Sequence, residues 1–269
     1  MRMAVRPLAL VLVAAVVALG VAAGLTVHTL SSAGSAAPCQ DLFVPAFFYP
    51  ESTWQQATAS RPAPRVMILD ISGLGAGSEP LAHFRTVVRQ AQAAGVTVLG
   101  YSSTALGQRP IGQVEADVRN YRAWYGVTGV FLDEVQGVAS QLAYYQDLAS
   151  YIHRVNPGSV IWINPGTYPD QAYMSVANVV MTFEGTYAQY RTDQVPAWAR
   201  KYPASRFAHT IHSTPQAQLA SAVALARSRN AGYVYVTDGT GVNPYNGLPS
   251  YWSAEDAAVA GGCAPGHTG

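Results

Sequence analysis

Three carboxylates in this chain stand where apolar strands end. Gly129-Val130-Phe131-Leu132 runs into Asp133 and Glu134, and further on Val179-Val180-Met181-Thr182-Phe183 runs into Glu184. With only 15 acidic residues among 269, acids at the tips of apolar runs are poor candidates for mere solubilisation. Two carboxyls on nearby strands suit hydrolysis of a glycosidic bond, one protonated as general acid and the other ionised as nucleophile or base. Burial or the neighbour's charge would raise the pKa of the acid. Each residue also has a plain structural reading: Asp133 as a helix N-cap, Glu134 as a salt-bridge partner of Arg109, Glu184 as a loop acid. A metal site built from the three acids and a histidine is a further alternative, but no His shares a motif with them. Three acids at strand ends favour catalysis. Adjacent strand residues face opposite ways, so Asp133 and Glu134 cannot aim at one point unless the strand has broken, and their roles stay open.

Eight strand-like runs follow an apolar leader: 42–48, 65–71, 96–101, 129–133, 159–163, 178–183, 206–211 and 232–237. They are short, rich in Val, Ile, Phe and Tyr and not cleanly alternating, as in strands covered on both faces. Helical segments lie between them: Leu81 to Ala94 before Gly95, Val114 to Tyr125 before Gly126, Gln141 to Val155 before Asn156-Pro157-Gly158, and Gln216 to Arg229. Glycine after a helix is a stop signal. Strand and helix alternating eight times predict an α/β fold, a (β/α)8 TIM barrel in a single domain, with a doubly wound sheet as the fallback. Such a barrel places its chemistry at the C-terminal strand ends. Tyr49, Asp70, Tyr101, Asp133, Glu134, Asn164, Glu184, His209, His212 and Asp238 lie there.

Neighbouring strands are about 4.8 Å apart, so the fourth and sixth are about 10 Å apart at the backbone, and side chains leaning inward reach the roughly 5–9 Å that glycosidases use. Tyr49, Tyr101, Trp162, Tyr187, Tyr245 and Trp252 are candidates to stack on pyranose rings. Asp70 and Asp238 could bond hydroxyls or cap the next turn. His209 and His212 read as packed or loop histidines. There is no GxSxG for a serine hydrolase and no glycine-rich phosphate cradle.

The first residues carry Arg2 and Arg6 and no acid, and Leu8 to Leu30 is almost wholly apolar, with His28 its only ionisable residue. Residues 1–37 are therefore expected to be a signal peptide or signal anchor, with 38–269 the folded domain. The remainder would be secreted or held at the cell surface, touching membrane only through an uncleaved leader. In that compartment Cys39 and Cys263, the only cysteines, would pair as a disulfide. The net charge of +1 gives no footprint for nucleic acid. Few charges and many tyrosines suit a neutral polar ligand, and a monomer needing no cofactor or metal is expected.

The runs Val44-Pro45-Ala46-Phe47-Phe48-Tyr49-Pro50, Gly95 to Tyr101 with Thr104 and Gly107-Gln108-Arg109, Tyr121-Arg122-Ala123-Trp124-Tyr125, Gly129 to Glu134, Asn164-Pro165-Gly166, Thr182-Phe183-Glu184 and Thr237-Asp238 together resemble the spherulin-4-like (spherulation-specific) family, glycoside hydrolase family 135. The resemblance spans about residues 42 to 252 in order. It implies a (β/α)8 glycosidase cutting α-1,4-linked N-acetylgalactosamine within galactosaminogalactan, an endo-acting hydrolase of a polysaccharide. It maps the catalytic acids onto Asp133, Glu134 and Glu184. Tyr49, Asp70, Tyr101, Arg109, Asn164 and Asp238 are the expected substrate contacts. The chain departs at Asp70-Ile71-Ser72-Gly73, where the family usually has an Asn-Pro pair before a Ser-Gly-Pro-Gly turn. A non-catalytic carbohydrate-binding envelope protein on the same barrel, or a metal-dependent polysaccharide hydrolase or deacetylase, are the alternatives.

Overall fold

Runs of Val, Ile, Leu and Phe form eight short strands, which the sequence order stitches into a closed ring. The computed structural model describes residues 39–48 and 51–261; the leader, Tyr49 and Cys263 lie outside the described residues. The strands are β1 (Asp41–Ala46), β2 (Val66–Leu69), β3 (Thr97–Ser103), β4 (Gly129–Asp133), β5 (Ile161–Ile163), β6 (Val179–Thr186), β7 (Phe207–His212) and β8 (Tyr233–Val236). Each pairs in parallel with its sequence neighbours, and β8 closes on β1. The helices are α1 (Glu51–Ala59), α2 (Ala82–Ala93), α3 (Ile111–Tyr125), α4 (Leu142–Val155), α5 (Tyr187–Tyr190), α6 (Leu219–Ser228) and α7 (Trp252–Ala260). This is a (β/α)8 TIM barrel, with one irregularity. Between β5 and β6 the chain returns through a 3-10 turn, Gln171–Ser175, in place of an α-helix.

Two sets of side chains fill the molecule. Phe43, Leu99, Phe131, Trp162 and Tyr235 are buried in the barrel and its surroundings, and Val114, Val118, Leu132, Leu148, Ile152 and Ile163 seal α3 and α4 against the outside of the strands. Burial of this apolar area is the main force closing the ring. Gly100 permits a close approach of helix to strand: a Cβ there would come within 2.5 Å of the Tyr121 ring on α3. The helix ends also follow local chemistry. Pro110 stands just before α3, where its fixed φ suits a helix start, so α3 begins earlier than Val114. Gly126 closes it at φ 69°, a left-handed cap that glycine adopts without steric cost.

No helix among the described residues is long and apolar enough to cross a membrane. Cys39 is half-buried at the start of the described chain, beside Val259 and Ala260 of α7. Its expected disulfide partner is outside the described residues.

Candidate active site

A small cavity opens at the C-terminal ends of the strands, walled by Pro45, Phe47, Ile68, Phe131, Met181 and Tyr245, with Asp133, Asn164, Glu184 and Thr210 as its polar groups. On β4 the alternation that turns Phe131 inward turns Asp133 inward too. At the next residue the strand breaks. Glu134 sits at φ +53°, a left-handed conformation uncommon for a non-glycine residue. Two hydrogen bonds to its carbonyl hold it there, from Thr104 Oγ1 at 2.9 Å and the Leu106 amide at 2.8 Å. Glu134 is exposed, and its carboxylate accepts the Ser103 hydroxyl. The structure therefore separates the two adjacent acids: Asp133 faces the cavity and Glu134 stands at its rim.

Glu184 reaches the cavity by a different device. Strict alternation from the inward Met181 would turn it outward. A β-bulge between Met181 and Phe183 shifts the register, so that Phe183 packs outside against Tyr190, ring centroids 4.4 Å apart, and Glu184 turns in.

Asn164, one residue past β5, joins the two acids. Its amide N–H donates to the Leu132 carbonyl at 2.8 Å, and its own carbonyl accepts the Val135 amide at 3.0 Å. Its side-chain Oδ1 takes the Gly166 amide at 2.8 Å, which orients Nδ2 into the cavity. That nitrogen donates one hydrogen to Asp133 Oδ1 at 2.7 Å and the other to Glu184 Oε2 at 2.6 Å. The second oxygen of Glu184 accepts the Tyr245 hydroxyl at 2.8 Å. Tyr101 hydrogen-bonds Asp133. Burial, and then the charge of Glu184, push Asp133 up to about 6. Burial and neighbouring carboxylates raise Tyr101 and Tyr245 as well, so both remain neutral hydroxyls.

Several expected substrate contacts are occupied elsewhere. Arg109 is buried, its guanidinium 2.8 Å from Asp117 and donating to the carbonyls of Leu74 (2.8 Å) and Ser103 (3.0 Å). It braces the loops behind the site and is not presented to a ligand, nor does it pair with Glu134. Asp70 accepts the amides of Ser72 (3.2 Å) and Gly73 (2.8 Å), capping its own turn. Asp238 accepts the amide of Ser250 at 3.1 Å and its hydroxyl, and so pins together the ends of the loop that carries Tyr245. Trp162 is sealed in the barrel between Phe43 and Tyr233, at 5.4 and 4.7 Å, and Trp252 is buried at the start of α7; neither can stack on a sugar. His209 is buried between Thr182 (2.9 Å) and Tyr190 (2.6 Å), with its pKa pushed down to about 3 by burial and by Arg229. His212 is half-buried beside Tyr245. Among the described residues no three His, Cys, Asp or Glu side chains are grouped to hold a metal ion.

Asp117, the acid that holds Arg109, lies on α3, away from the strand ends. It shares the buried face of Val114, Val118 and Tyr121, and an acid in an apolar helical stripe is itself a signal of a buried ion pair.

A parallel barrel with two inward carboxyls at its C-terminal mouth defines the class of the protein. Comparison with known proteins narrows it: the chain belongs to the spherulation-specific family 4, which it matches over residues 41–259. It is 32% identical to Spherulin-4 of Physarum polycephalum over 231 residues, covering 81% of this chain and 69% of that protein. Among solved structures it is similar to Sph3 of Aspergillus clavatus in complex with GalNAc, with TM-score 0.72 and 26% identity over 84% of this chain and 99% of that one. A chitinase from Chromobacterium violaceum shares the fold at TM-score 0.57 and 11% identity, over 82% of this chain and 99% of that one.

Proposed function

We propose that this protein is an exported, endo-acting glycosidase of an α-linked, N-acetylgalactosamine-containing polysaccharide, and that Asp133 and Glu184 carry out the hydrolysis. The observation that carries this reading is the single nitrogen shared by both carboxylates. Asp133 Oδ1 and Glu184 Oε2 lie 2.7 and 2.6 Å from Asn164 Nδ2, so they can be no farther apart than two hydrogen bonds laid end to end. Retaining glycosidases hold their carboxyls roughly 5–5.5 Å apart, whereas inverting enzymes need about 6.5–9.5 Å to admit a water. The close pair supports retention.

In the first step Asp133, protonated through its raised pKa, gives its proton to the glycosidic oxygen. Glu184 attacks the anomeric carbon, and the bond to the leaving sugar breaks. In the second step Asp133, now a carboxylate, takes a proton from water. The hydroxide displaces Glu184 from the anomeric carbon and regenerates both groups. The amino-sugar assignment draws support from the family and from the GalNAc found with the Aspergillus clavatus relative. The apolar leader supports export.

The test is incubation of the protein with galactosaminogalactan and other α-linked amino-sugar polymers, following release of reducing ends and the anomer first formed. Wild type should cleave with retention, while Asp133→Asn and Glu184→Gln should not cleave. Binding without cleavage of any such polymer would favour a carbohydrate-binding protein, and cleavage surviving both substitutions would place the chemistry elsewhere.

A further inference from the structure

Among the described residues the large apolar side chains left exposed are Leu74 and Leu106, each at 51%, Val138 at 40%, and Val242. All lie on loops that follow strands, after β2, β3, β4 and β8, and so on the face where the carboxyl pair opens. Single aliphatics scattered over a surface are ordinary. A set confined to one face is not. Val242 stands apart on the loop before α7; the other three occupy successive loops.

Those three loops are locked to one another and to the site. The Leu74 carbonyl accepts the Ser103 amide at 3.0 Å and Arg109 Nη1 at 2.8 Å. The Leu106 amide donates to the Glu134 carbonyl at 2.8 Å, beside the Thr104 amide on the Asp133 carbonyl at 2.9 Å. Gly107 lies against the next loop, since an added Cβ would come within 2.8 Å of Gln141 Oε1. The Gln141 amide in turn closes onto the Val138 carbonyl at 3.0 Å, which also accepts the Tyr173 hydroxyl at 3.0 Å. Leu106 is held in the left-handed region at φ 57°, and Ala105 before it at φ 46°. Neither is glycine, so the turn costs both residues, and it ends by presenting a leucine to solvent. Strain of this kind gathers at functional sites.

We propose, on the glycosidase reading of the adjoining cavity, that Leu74, Leu106 and Val138 form a rigid aliphatic rim for the sugar units of a polysaccharide that lie outside it. None of the three lines the cavity itself. That cavity is small, so a polymer cut within its length must continue over the loops. Pyranose C–H faces and acetyl methyls are the apolar parts of such a chain, and they gain by leaving water against aliphatic side chains. Ser72, Gln108 and Gln136, exposed on the same three loops, can bond its hydroxyls and amides. The one cation of these loops, Arg109, is tied to Asp117, while Asp70, Glu79 and Glu134 are acids. A neutral chain suits this surface and an anionic membrane does not.

Leu74→Ser and Leu106→Asn combined remove two of the three aliphatics; asparagine tolerates a left-handed backbone and serine suits an exposed turn. The kcat/KM of this variant on galactosaminogalactan should fall roughly tenfold. On a single-unit aryl α-N-acetylgalactosaminide, too short to reach the rim, the loss should be less than about twofold. In the Asp133→Asn background, affinity electrophoresis should show polymer binding weakened by a similar factor. Val138→Ser should act in the same direction by less, and keeps the test open if the double variant folds poorly. Equal losses on polymer and aryl glycoside, or unchanged polymer binding by a folded variant, overturn the proposal. So does a wild type that binds no such polymer, or one that adsorbs to phosphatidylcholine vesicles through these leucines. If wild type binds the polymer without cleaving it and the variant binds it more weakly, the rim stands and the glycosidase reading falls.

Discussion

Met181 and Glu184 face the same cavity from positions three apart on one strand, a parity that a regular β-strand forbids. The bulge between them aims the second carboxylate, whose reach brings Oε2 onto the Asn164 nitrogen that also holds Asp133. Shortening that side chain by one methylene should therefore be nearly as damaging as neutralising it. Glu184→Asp is expected to lose at least a hundredfold in kcat on a polymer that wild type cleaves, and Glu184→Gln to lose more, measured by reducing-end release.

Asp133 and Glu134 should separate in the same assay. The Asp133 carboxyl lies in the cavity with Glu184, and that of Glu134 is turned to Ser103. Asp133→Asn should cost about 10²–10⁴ in kcat, the usual worth of a general acid, and Glu134→Gln less than about tenfold. Equal losses would bring Glu134 into the chemistry and reopen the assignment.

The pH dependence has a definite sign. A general acid works only while protonated, and burial beside Glu184 lifts Asp133 to about 6. kcat/KM should therefore fall as pH rises through about 6, with the pair titrating as a unit. Rates measured from pH 4 to 8 check this, and a basic limb well above pH 7 would contradict it.

Stability should run against activity at the same residue. The folded protein binds the Asp133 proton more tightly than the unfolded chain, whose value is near 3.8. Its contribution is thus intact below about pH 4 and lost as pH rises through 6. Asp133→Asn carries no such penalty. At pH 7.5 it should be inactive yet more stable than wild type by on the order of 3 kcal/mol, with the difference vanishing near pH 4 in urea titrations.

Arg109 gives the converse case. It is buried against Asp117 behind the site. Arg109→Ala would leave that carboxylate without its charge partner, held only by the Ser102 hydroxyl and the Ala76 amide, at a cost of about 3 kcal/mol and several degrees in Tm. The KM of whatever remains folded should be little changed. A raised KM at unchanged Tm would return Arg109 to the substrate.

The ring of eight strands was legible because each apolar run is short and ends in turn or helix signals. Asp133 and Glu184 stood out because acids are scarce and these two end such runs. The swing of Glu134 was hidden, since its left-handed backbone is imposed by Thr104 and Leu106 from the neighbouring loop. The bulge at Thr182 was hidden for the same reason: nothing local distinguishes an inserted strand residue from an alternating one. Trp162 sits near a strand end, two residues from Asn164, yet packs inside the barrel between Phe43 and Tyr233. Helix α7 has no amphipathic signature, because its two acids, Glu255 and Asp256, lie on the buried side with Trp252 and Val259. The missing helix between β5 and β6 has no signature beyond the Pro165, Gly166 and Pro169 of that stretch.

The short strand β5 has a consequence for the molecule as a mechanical object. Its pairing with β6 stops at Ile163 and Val180, and the chain returns from β5 to β6 through a 3-10 turn in place of an α-helix. What fastens it beyond that point is the Glu184 amide on the Gly166 carbonyl at 3.1 Å, together with the Asn164 side chain. The groups that would grip a sugar are also the rivets of the wall. A ligand clasped there would splint the seam, and amide hydrogen exchange at Asn164 and Glu184 would slow on binding. The site thus doubles as a gauge of its own occupancy.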